Sequence, residues 1–147
     1  MNMESYIDQV KSIVDNLIDK KLKNEYFQNK NPENLKNIER AFEEAFKGYD
    51  DWTFYPSERM QSERGFNPNC PHICLIQMEK NNKHFNVHVK CHPYGPQGLE
   101  LIISHEQRDF YENPGKKFSY MELKEDPEPL RSYLNLALIQ AKDYCKK

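Results

Sequence analysis

Apolar residues recur at three- and four-residue steps through the first segment. Tyr6, Val10, Ile13, Val14, Leu17 and Ile18 line one side, while Asp8, Lys11, Asp15 and Asp19 take the others. The spacing predicts an amphipathic helix facing a core. A second helix is expected from Asn31, a capping residue, and Pro32, which suits a first turn; its stripe of Leu35, Ile38, Phe42, Ala45 and Phe46 ends at Gly48. The two are expected to form a helical hairpin. A third helix is announced by Asp126-Pro127-Glu128-Pro129, with Leu130, Leu134, Ala137, Leu138, Ala141 and Cys145 as its apolar stripe and Lys142, Lys146 and Lys147 near its negative end.

Between the helices the period changes to two. Asn81 and Asn82 separate Cys74–Glu79 from His84–Val89, and because Asn tolerates positive φ they predict a two-residue hairpin turn. Pairing about that turn sets Met78 by Phe85, Ile76 by Val87 and Cys74 by Val89, an apolar face throughout. A third strand, Leu99 to His105, is expected to return through residues 93–98 with Lys90 opposite Glu100, Val89 opposite Leu101 and Val87 opposite Ile103. The other face then carries rows of Gln77, Asn86 and Ser104, of Leu75, His88 and Ile102, and of Ile73, Lys90 and Glu100. That mixture predicts a face meeting water. Asp51 to Pro56 reads as a further strand, held to an edge by Pro56, and Asn113-Pro114-Gly115 as a turn before Phe118–Leu123.

The expected fold class is α+β, with residues 1–147 as one domain. Two N-terminal helices and one C-terminal helix pack on one face of an antiparallel sheet of three to five strands, giving two layers. At 147 residues such a chain buries enough surface to fold without disulfides or metal. Its 21 basic and 23 acidic side chains are spread along both halves, so no basic stripe points to nucleic acid. No apolar run is long enough for a membrane span, and Met1–Lys20 alternates charge with Ile, Val and Leu, unlike a signal peptide. A soluble, cytoplasmic protein is expected, and the abundant Asn and Lys fit an AT-rich genome, bacterial or phage.

Candidate chemistry is sparse. The four cysteines, Cys70, Cys74, Cys91 and Cys145, are too few for a disulfide scaffold and are expected as thiols. Cys70, His72, Cys74 and Cys91 offer the donor types of a zinc site if neighbouring strands bring them together, but the paired short-spaced knuckles of a zinc finger are missing, and Cys74 and Cys91 fall among core positions. His84, His88 and His92 lie about 13 Å apart in succession on a strand, too far to share an ion. His105-Glu106 lacks the second histidine of a metalloprotease helix, and Glu122 and Lys124 with Asp109 upstream spell only a short nuclease-like pattern that charged chains produce readily. Neither a glycine-rich phosphate loop nor a nucleophile elbow is present.

Aromatic and Arg residues near loops are the types that anchor protein interfaces. The expected function is therefore a non-enzymatic module that binds another protein and occludes it, as an inhibitor, immunity or adaptor protein does. Its expected surface joins Leu75, His88, Lys90 and Ile102 on the outer sheet face to Trp52, Arg59, Arg64, Phe66 and Tyr94, although Trp52 and Phe54 equally suit the core side of an edge strand. No cofactor is expected on this reading. The alternative is a zinc-stabilised module or metal-dependent enzyme built on Cys70, His72, Cys74 and Cys91. Ile73, Leu75 and Ile102 stand as ordinary exposed apolar residues or as the centre of a homo-oligomer contact.

Overall fold

The N-terminal apolar stripe forms helix α1 (Met3–Asp15), which continues as a π-helical segment, Asn16–Leu22. The computed structural model describes residues 3–22, 33–57, 72–95, 98–107 and 115–146. Helix α2 (Glu33–Phe46) ends where expected, because Gly48 adopts φ +87°, a left-handed conformation that costs glycine little. Its expected start, Asn31 and Pro32, lies outside the described residues. Five strands follow: β1 (Thr53–Pro56), β2 (His72–Lys80), β3 (Lys83–Gly95), β4 (Gly98–Gln107) and β5 (Lys116–Ser119). The short helix α3 (Tyr120–Glu125) and the long helix α4 (Glu128–Lys146) close the described chain.

All strand pairs are antiparallel, and the spatial order β1-β2-β3-β4-β5 follows the sequence. The class is α+β. Asn81 and Asn82 have φ of 56° and 61°, and the β2–β3 register sets Met78 opposite Phe85, Ile76 opposite Val87 and Cys74 opposite Val89, as the alternation predicts. One core joins this face to the helical stripes: Val10, Ile13, Phe42, Leu130, Leu134 and Leu138 pack with Ile76, Val87, Val89, Leu101 and Ile103.

Two expectations about the sheet are corrected. Strand β4 pairs with β3 two residues away from the expected register, so that Val89 faces Ile103, Val87 faces His105, Lys90 faces Ile102 and His92 faces Glu100. A two-residue slip preserves which side each residue occupies, so hydrophobic alternation does not choose between these registers. The connection does. Both strands run further than expected and close through a Gly95–Gly98 pair, after an irregularity between His92 and Gly95.

The second correction concerns the outer face. Water was expected there, yet Leu75, Gln77, Asn86, His88 and Ser104 are buried. Their polar groups lie close enough to serve one another, which lowers the cost of leaving water. Ile73 is buried in the core, at a β2 irregularity where His72 pairs with Lys90 and Cys74 with Val89.

Charged side chains fasten the helices outside the core. Arg131 at the start of α4 reaches Asp15 at 3.1 Å and Asp19 at 2.7 Å, and also pairs with Glu128. Nearer the middle of α4, Tyr6 of α1 donates its hydroxyl to the Leu138 carbonyl at 3.2 Å. Burial, reinforced by the nearby Asp51 charge, pushes the Tyr6 phenol above its ordinary pKa.

Candidate functional site

Two regions offer candidate chemistry, and the first is the outer face of the sheet. The register places Gln77 of β2, Asn86 of β3 and Glu106 of β4 in one row. Gln77 Nε2 donates to Asn86 Oδ1 at 2.8 Å, and Asn86 Nδ2 donates to Glu106 Oε1 at 2.8 Å. From the next row, His88 Nε2 lies 2.9 Å from the same Glu106 oxygen. The half-exposed carboxylate thus ends a buried ladder of amides and takes the imidazole as well. Such a ladder fixes strand register, and it sets the buried His88 Nε2 beside the Glu106 carboxylate.

The expected binding residues of this face therefore divide. Leu75 and His88 are buried within the chain, while Lys90 and Ile102 are half-buried. Ile73 and Leu75 are spent inside the fold and give no centre for a homo-oligomer contact. Lys117 lies across from Ile102 and is exposed, so what remains open is a Lys90, Ile102 and Lys117 row.

The second region surrounds the end of α2. Gly48 breaks the helix, Tyr49 N bonds to the Phe46 carbonyl at 3.3 Å, and Trp52 N bonds to the Tyr49 carbonyl at 3.2 Å. These successive turns fold the aromatic residues back toward the helix end. Trp52, read as edge-strand core or as part of the binding surface, is buried in the core, edge-on to Phe46 with ring centroids 5.7 Å apart. Together they floor a groove of about 440 Å³ that is flanked by the half-buried Tyr49 and Phe54 and rimmed by Glu43 and Asp50. A second groove, also about 440 Å³, adjoins it through the shared Lys47 and Tyr49 and is lined by Asp15, Asp19 and Glu44.

Sequence reasoning reached Trp52 and missed Tyr49, Glu43 and Asp50. The available signal was an aromatic residue directly after a helix-stopping glycine, with carboxylates on both sides of it.

The zinc alternative rested on simple alternation along β2. The irregularity between His72 and Cys74 interrupts it, pairing one with Lys90 and the other with Val89. Cys74 is fully buried, and burial, aided by the charges of Glu39 and Glu43, pushes its thiol well above the ordinary range. Cys70 lies outside the described residues, as do Arg59, Arg64 and Phe66; Cys91 and Tyr94 are described only as backbone of β3. Among the described residues no three His, Cys, Asp or Glu side chains form a set able to hold a metal ion. No helix among them is long and apolar enough to cross a membrane.

No protein-family description, curated protein or solved structure matches this chain.

Proposed function

We propose that this chain is a non-enzymatic protein-binding module of the cytoplasm, which acts by steric occlusion of its partner in the manner of an inhibitor, immunity or adaptor protein. The observation that carries the reading is the pair of adjoining grooves at the end of α2, where aromatic rings meet carboxylates over the buried Phe46 and Trp52. Large rings already held in place lose little freedom on binding, and this is the composition of interface anchors. The half-buried Lys90 and Ile102 on the outer sheet face form a second, flatter area that a large partner would also cover.

Affinity capture from the source cell with tagged protein tests the reading when wild type is compared with a Tyr49→Ala, Phe54→Ala double variant. The expected result is a discrete co-purifying protein that binds the purified wild type directly and is lost with the double variant. Equal capture by both proteins, or nothing beyond an unrelated tagged control, contradicts the reading.

A further inference from the structure

From the α2-end groove we infer the chemistry of the partner: a basic protein segment that inserts a Lys or Arg side chain over the Phe46, Tyr49, Trp52 and Phe54 rings. The inference rests on the protein-binding reading and deepens it. Aromatic faces carry negative electrostatic potential, so a cation above them is attracted, and the attraction grows as water is displaced from the groove. A neutral apolar anchor would use the rings equally well, so the rings alone do not decide.

The charges do. Glu43 and Asp50 rim the aromatic groove, and the continuation past Tyr49 presents Asp15, Asp19 and Glu44. Lys47 is the basic residue lining both grooves; it is exposed at their junction on a long flexible stem. Asp15 and Asp19 already hold Arg131, so the acidic continuation shows the same preference satisfied within the chain by a guanidinium from α4. An arginine-bearing segment laid over the rings meets the Glu43 and Asp50 carboxylates at the rim, whereas an acidic segment meets their repulsion.

Trp52 is the protein's single tryptophan and sits on the groove floor, so its fluorescence reports occupancy without a label. The probes are a short synthetic peptide of alternating Arg and Ser and a matched peptide of alternating Glu and Ser, each titrated against the full chain. The Arg peptide is expected to change Trp52 emission saturably, and added salt should weaken its binding. Glu43→Gln with Asp50→Asn should weaken it by about tenfold, while circular dichroism and the unfolding midpoint stay near wild type because both side chains are exposed. No response to the Arg peptide, equal binding of the Glu peptide, or an affinity unmoved by the two neutralising substitutions overturns the inference. If the captured partner still depends on Tyr49 and Phe54 in that event, the binding function stands and only the cation chemistry falls.

Discussion

His105 stands opposite Val87 on the inner side of β4, a place it takes only in the observed β3–β4 register. Its ring stacks on Phe85 with centroids 5.6 Å apart, and its Nδ1 lies 2.9 Å from the Tyr133 hydroxyl of α4. Burial lowers its pKa below the ordinary value of 6.5, so the fold favours neutral imidazole. The unfolded chain accordingly takes up this proton first as pH falls. The contribution of His105 is complete above pH 6.5 and is lost progressively below it, down to the depressed native pKa. Urea unfolding at pH 7 and pH 5 should show a larger drop in stability for wild type than for His105→Gln. Equal drops in the two proteins contradict this placement. The position was legible only in part: sequence alternation assigns His105 to the side of Phe85, Val87 and Ile103, but its contact with Tyr133 depends on how α4 crosses that face, which the pattern leaves open.

At the scale of elements, the β2–β3 hairpin does more than join two strands. Asn81 Nδ2 donates to the Cys145 carbonyl at 2.8 Å and stands 3.4 Å from the Lys146 carbonyl, while Lys83 Nζ reaches the Tyr144 carbonyl at 3.5 Å. The turn therefore caps the C-terminus of α4, whose last carbonyls lack partners within the helix and whose dipole favours a cation there. Asn81→Gly should keep the positive φ yet lower stability by about 0.5–1.5 kcal/mol through loss of the cap. Denaturant midpoints of wild type and variant check this; a neutral Asn81→Gly would show that the cap contributes nothing. Asn81-Asn82 announced the turn because conformational preference is local. Nothing local announced that its amide would meet a helix end 64 residues away. The same contrast separates the two strand pairings: a tight turn fixed β2 against β3, while the longer link of residues 93–98 left β4 free by two residues in any sequence argument.

For the whole molecule, the apolar stripes of α1, α2 and α4 and the alternation of β2 and β3 were sufficient to place one core beneath a sheet. They were insufficient for the other face, because hydropathy treats Gln77, Asn86 and His88 as residues for water and is blind to the cross-strand bonds through which they serve one another. The burial of that ladder shifts the proposed contact area away from Leu75 and His88 toward the end of α2, where Gly48 and two successive turns bring Tyr49, Trp52 and Phe54 to Phe46, the last ring of the helical stripe. Arg131, drawing Asp15 and Asp19 to α4, holds the acidic side of that groove in place. On the proposed function a partner protein engages this groove. A photo-cross-linking amino acid placed at position 49 in the source cell, compared with one at position 102 on the outer sheet face, checks this. A discrete protein adduct is expected from position 49, stronger than that from position 102 and absent after Phe54→Ala. An adduct from position 102 with none from position 49 would contradict it.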